Sequence, residues 1–177
     1  MNDRPRHEGV PLRANAHHHP ALRVSDLERA ADFYIEAFDG HWVTRPFVLE
    51  GDFAEMVFGG PPGTRYRVCH VAFDEGCVEL FEFLEPVVPV RHINPWEGNF
   101  LHFGVQVDDV PDALARVEKA GGRRIWPEIA VWGDASVIYV NDLDQNVIEL
   151  TDRSVARIAE LTIEQFPEAA PDAEAAR

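Results

Sequence analysis

Lysine is almost missing from this 177-residue chain: Lys119 is its only one, and every other basic residue is arginine. That bias fits the composition of a GC-rich genome and carries no functional weight. Cysteine is nearly as scarce. Cys69 and Cys77 are the whole complement, which excludes a disulfide framework, and a lone pair of this kind is read as free thiol. No apolar run extends beyond a handful of residues, so no segment is suited to span a bilayer. Basic residues number 16 against 31 acidic ones, a net charge of −15. Such a surface repels phosphate and argues against nucleic acid or an anionic membrane as partner. The first sixteen residues lack the apolar core of a secretory signal, and the chain is expected to be cytoplasmic. What remains is an ordinary globular balance, 46% hydrophobic and 27% charged.

The chain repeats itself once. One copy reads His19-Pro-Ala-Leu-Arg-Val24-Ser-Asp26-Leu and runs into a helical stretch through Phe33, Tyr34 and Phe38. The other reads His102-Phe-Gly-Val-Gln-Val107-Asp-Asp109-Val and runs into a stretch through Leu114, Val117 and Ala120. Each His precedes a Val by five positions, with an Asp two further on, and the copies are offset by 83 residues.

Both copies begin as strands. His19, Ala21 and Arg23 share one face, and Pro20, Leu22 and Val24 the other. Likewise His102, Gly104 and Gln106 oppose Leu101, Phe103, Val105 and Val107. One face is apolar and suits packing on a helix; the other is polar or small, like a cavity lining. Ser25 with Glu28 has the pattern of a capping box, Asp109 with Pro111 marks the start of the second helix, and Gly40 and Gly121-Gly122 are natural stops. Strand character follows in His41 to Leu49, Phe53 to Phe58 (or a loop there), Tyr66 to Phe73 and Cys77 to Leu84. In the second half it follows in Arg123 to Pro127, Ala135 to Asn141 and Asn146 to Thr151.

The halves end alike, Val78-Glu79-Leu80 against Ile148-Glu149-Leu150. The expected organisation is a flexible extension (1–16), a first module (17–84), a Pro- and Val-rich linker (85–99), a second module (100–152), and a C-terminal helix from about Ser154 to Ile163 followed by a mobile acidic tail to residue 177.

Taken together, His19-x-Ala-Leu-x-Val-Ser-Asp-Leu-Glu-Arg-Ala with Phe33-Tyr34, Val78-Glu79-Leu80, His102-Phe-Gly-Val-x-Val-Asp-Asp and Asn141-Asp-Leu-Asp-Gln-Asn-Val-Ile-Glu149-Leu resemble the vicinal oxygen chelate superfamily. That family includes glyoxalase I, methylmalonyl-CoA epimerase, extradiol dioxygenases and the fosfomycin and bleomycin resistance proteins. The resemblance implies an α+β fold: two βαβββ modules forming a cupped, eight-stranded mixed sheet with helices outside. It also implies one divalent metal ion (Zn, Ni, Co, Mn or Fe) held by His19, Glu79, His102 and Glu149, and a homodimer. The family's Asp-Pro-x-Gly-Asn turn reads Asp142-Leu-Asp-Gln-Asn146 here, which costs a little turn stability and leaves Glu149 in register.

Two imidazoles and two carboxylates neutralise a divalent ion and leave positions for water or substrate. A metal on two adjacent substrate oxygens stabilises an enediolate or enolate, and Glu149 or Glu79 is placed to move the proton. Arg23 and Gln106 share the ligand face and are candidates to bind substrate. A single strand His is ordinarily structural; two at matching repeat positions, each with a matching Glu, favour a site. His18 competes with His19, and repeat register favours His19. Glu82 competes with Glu79, but lies on the opposite face. His70 is expected in core or surface rather than in the cavity. Trp126, Trp132 and Tyr139 are candidates for the pocket wall, although aromatics in such strands are more often core. His41, His92, Cys69 and Cys77 are read as structural.

The fourth ligand, Glu79, favours a glyoxalase I-like lyase or isomerase acting on a small substrate over a dioxygenase with two His, one carboxylate and Fe(II). An epimerase is disfavoured because 59–67 contains no carboxylate. A non-catalytic drug- or metabolite-binding protein of the bleomycin resistance type is the alternative of another class.

Overall fold

The computed structural model of the protein describes residues 17–91, 97–98 and 100–171. The extension expected over 1–16, His92 in the linker, and residues 172–177 of the tail lie outside the described residues.

The first half runs β1 (Ala21–Arg23), α1 (Leu27–Phe38), β2 (His41–Leu49), α2 (Asp52–Phe58), β3 (Arg65–Ala72) and β4 (Cys77–Glu85). The second runs β5 (Phe103–Gln106), α3 (Val110–Lys119), β6 (Arg123–Arg124), β7 (Ala130–Trp132), β8 (Ala135–Asn141) and β9 (Val147–Thr151), and is followed by α4 (Val155–Gln165). In each half the first strand pairs parallel with the last, and the remaining pairs are antiparallel. The class is α+β with mixed sheets, as expected. Backbone pairing divides the strands into two sheets, β1-β4-β3-β2 and β5-β9-β8-β6, with β7 added on β8. Among the described residues, the three-residue β1 and four-residue β5 bond on one side only, to β4 and β9.

Two local expectations are corrected. Asp26, not Ser25, caps α1: its carboxylate accepts from the Arg29 backbone N–H at 3.0 Å. The carboxylate also meets the positive end of the helix dipole, an advantage the Ser25 hydroxyl lacks. Ser25 instead donates its backbone N–H to Asp144 of the second half. The segment Phe53 to Phe58, expected as strand or loop, is α2. Gly51 and Gly59 bracket it with positive φ angles of 76° and 60°, and Asp52 and Glu55 occupy its first turn. Asp109 caps α3 with Pro111 in its first turn, as the sequence indicates.

One face of each sheet carries a helix. Leu22, Val24, Val78 and Leu80 pack under α1, while Ile138, Val140, Ile148 and Leu150 pack with α3, in a single continuous core. Each such side chain contributes about 1.5–3 kcal/mol by burial. The two helices touch, and Gly122 permits this. A Cβ there would lie 2.9 Å from the Phe33 ring and 2.8 Å from the Asn141 carbonyl oxygen. A smaller core of Ala54, Tyr66, Val68 and Phe81 sits on the opposite face of the first sheet, against α2. Among the described residues no helix is long and apolar enough to cross a membrane.

Candidate functional site

The face of each sheet turned away from α1 or α3 carries the residues singled out in the repeat. In the first half, parallel pairing sets Ala21 beside Glu79. His19 precedes Ala21 by two residues on the same face, and its Nε2 lies 3.0 Å from Glu79 Oε2. In the second half, Gly104 stands beside Glu149, and His102 Nε2 lies 2.9 Å from Glu149 Oε2. The small residues at the paired positions keep the space above each carboxylate clear; a Cβ on Gly104 would meet nothing within 4 Å. All four side chains are half-buried.

The four candidates therefore stand as two matched His–Glu pairs. A cleft of about 1190 Å³ reaches both histidines and is also lined by Phe38, Phe73, Gly104 and Gln106. The glutamates are not among its lining residues. Among the described residues, no three His, Cys, Asp or Glu side chains cluster closely enough to hold a metal ion. The donor chemistry of each pair nonetheless suits a divalent ion.

Neighbouring strands add a third group to each pair. His70, directly opposite Glu79 in the β3–β4 ladder, places Nε2 3.2 Å from Oε1. It faces the site, against the expectation of core or surface. In the same register of the second half, Tyr139 lies opposite Glu149. Burial, then the Glu149 charge, push the Tyr139 hydroxyl up to about 12, so the phenol stays a donor. Its ring also meets His102 edge-on at 5.0 Å and Trp126 at 4.7 Å. Tyr139 and Trp126 thus wall the second half-site.

The competing residues fall elsewhere. Glu82 faces α1, where Arg67 bridges it to Glu28. His18 contacts His19 through its Nδ1 and is exposed. Arg23 lies on the ligand face, but its guanidinium donates to the Val88 carbonyl and sits over the Phe83 ring at 5.8 Å. Gln106 is exposed at the cleft. Cys69 is buried, which raises its thiol to about 12, and both cysteines are free.

Residues 16–150 match the family model of the glyoxalase/bleomycin resistance protein/dioxygenase superfamily. The chain belongs to this superfamily. Three solved structures illustrate the shared fold. A glyoxalase family protein from Bacillus cereus is 18% identical with a TM-score of 0.69, the alignment covering 79% of this chain and 95% of that one. The trypanothione-dependent glyoxalase I of Leishmania major is 17% identical with a TM-score of 0.58, covering 85% and 96%. The fosfomycin resistance protein FosX of Listeria monocytogenes is 15% identical with a TM-score of 0.56, covering 81% and 98%. At these identities the likeness establishes the fold alone. No curated protein matches the chain by sequence. The superfamily contains enzymes, and divalent metals are typical of its members.

Proposed function

We propose that this protein is a divalent-metal-dependent enzyme of glyoxalase I-like type, a lyase or isomerase that moves a proton on a small substrate with two adjacent oxygens. The observation that carries the reading is the pair of matched contacts, His19 to Glu79 and His102 to Glu149, at equivalent register positions of the two sheets.

The pairs His19–Glu79 and His102–Glu149 would hold the ion jointly, within one chain or across two copies of a homodimer. When bound, it would polarise a substrate carbonyl and stabilise the enediolate or enolate left when a neighbouring C–H loses its proton. Proton movement falls to one of the two glutamates, each on the last strand of its own half. Tyr139 stands opposite Glu149 in the ladder, its phenol kept protonated beside that carboxylate. Gln106, at the cleft shared by both histidines, is placed to bind a substrate oxygen. Arg23 is the weaker candidate, because its guanidinium is engaged by Val88 and Phe83. A cytoplasmic homodimer is the proposed setting. Apolar side chains exposed on β2 and α2, among them Phe47, Phe53 and Met56, offer surface for a second copy.

The test is metal content per chain of untagged wild type beside Glu79→Gln and His102→Ala, followed by turnover with 2-oxoaldehydes and acyl-CoA epimers. One equivalent of metal, lost in both variants, together with turnover, supports the proposal. Iron retained in Glu79→Gln, with oxygen uptake on catechols, replaces it with a ring-cleaving dioxygenase. No uptake after reconstitution overturns it in favour of a drug- or metabolite-binding protein.

A further inference from the structure

We infer that His70 is a positioning residue for Glu79, held by Thr44 as the neutral tautomer that carries its proton on Nε2. The inference rests on the proposed role of Glu79 as a metal-holding carboxylate.

Thr44 and His70 face each other across β2 and β3. The Thr44 hydroxyl oxygen accepts the backbone N–H of His70 at 3.0 Å and lies 2.9 Å from His70 Nδ1. A hydroxyl has one hydrogen to give. That oxygen keeps a second lone pair, so the Glu79 carboxylate decides the direction: it can only accept, and Nε2, facing its Oε1, therefore carries the proton and leaves Nδ1 of the neutral ring to accept the Thr44 hydrogen. The Nε2–H points at Glu79 Oε1, 3.2 Å away.

This arrangement makes the two oxygens of Glu79 different. Oε1 is tied to His70, while Oε2 faces His19 at 3.0 Å. His70 presents no lone pair to the site, so it acts through Glu79 and not as a ligand. It fixes the carboxylate so that a single oxygen, Oε2, is offered to an ion. The second half has Tyr139 at the equivalent position, a phenolic donor with no tautomer to set. The two glutamates thus have different neighbours across the ladder.

The first test uses metal-free protein. Long-range nitrogen–proton NMR correlations of the imidazoles, at a pH where His70 is neutral, report which nitrogen carries the proton. Protonated Nε2 in wild type and Thr44→Ser is the expected result; a proton on Nδ1 in wild type overturns the inference.

The second test uses metal-loaded protein. His70→Leu should weaken metal binding roughly 10- to 100-fold, the usual effect of losing a partner to a ligand, and should alter the visible spectrum of the cobalt form. His70→Gln, whose amide N–H reaches the same oxygen, should restore both. Unchanged affinity and spectrum in His70→Leu overturn the positioning role. Wild type that takes up no metal refutes the catalytic reading instead, and the tautomer result then decides the Thr44–His70–Glu79 arrangement by itself.

Discussion

Tyr34 of the first half donates its hydroxyl hydrogen to Asp142 of the second at 2.7 Å, with both side chains buried. Asp142 also accepts from the backbone N–H groups of Asp144 and Asn146 and from the Asn146 side chain. One carboxylate therefore organises the turn before β9 and fastens it to α1. Tyr34→Phe removes a hydrogen bond to a buried charged group and should cost about 1.5–3 kcal/mol. Urea titration of the two proteins measures it; equal midpoints would mean that the contact contributes nothing.

Asp142 also gives the protein a pH signature. Burial raises its carboxyl above the ordinary value, despite the four hydrogen bonds that oppose the shift. The folded state therefore binds this proton more tightly than the unfolded chain. Its contribution is fully present below the unfolded value, near 3.8, and is lost as pH rises through the folded one. The stability of wild type minus that of Asp142→Asn should accordingly fall as pH increases upward from that range. A difference that rises with pH would reverse the assigned shift.

The same turn holds Gln145 at φ 69°, in the left-handed region. A side chain there costs roughly 1–2 kcal/mol, and glycine escapes the cost at the expense of chain entropy. Gln145→Gly should stabilise the protein by up to ~1 kcal/mol, read as a small rise in melting temperature. A fall would show that the Gln145 side chain compensates for its own backbone.

Gly122→Ala should be destabilising by at least ~1–3 kcal/mol. The new methyl group would lie 2.7 Å from Val117 and 2.9 Å from Phe33 as well as close to the Asn141 backbone. Calorimetry settles this, and an unchanged melting temperature would mean that α1 and α3 can slide apart freely.

Register in the His17–His19 run is tested by two substitutions. His19→Ala should abolish or sharply weaken metal uptake, while His18→Ala, an exposed neighbour, should leave it within a factor of about two, as surface changes usually do. The reverse ranking would shift β1 by one residue and turn its faces over.

Period-two alternation made much of this legible. It places Leu22 and Val24 in the core and His19 toward Glu79, and it sends Glu82 to the α1 side. The matching His and Glu positions of the two halves were visible because one sequence pattern occurs twice. Alternation alone could not identify α2, since a seven-residue helix carrying several exposed apolar side chains gives no amphipathic signal. The glycines that bracket it were the readable clue. His70 was open to the same kind of reading. With Asp74–Gly76 as the turn, Ala72 pairs with Cys77, and counting back two residues at a time brings His70 opposite Glu79. Its partner Thr44 was not readable, because β2 and β3 are joined through α2 and their pairing shifts register twice. Nor did propensity distinguish Ser25 from Asp26 as the cap; the backbone geometry decides that.

Parallel pairing of β1 with β4 has a further consequence. His19 and Glu79 are sixty residues apart in the chain and meet only when the first strand closes the sheet around everything between them. Each half-site therefore comes into being with the closure of its whole module, and no local fragment of the chain can hold one. An agent that ties His19 to Glu79 acts as a clasp on the longest loop of its module, and draws on the entropy that loop surrenders on closing.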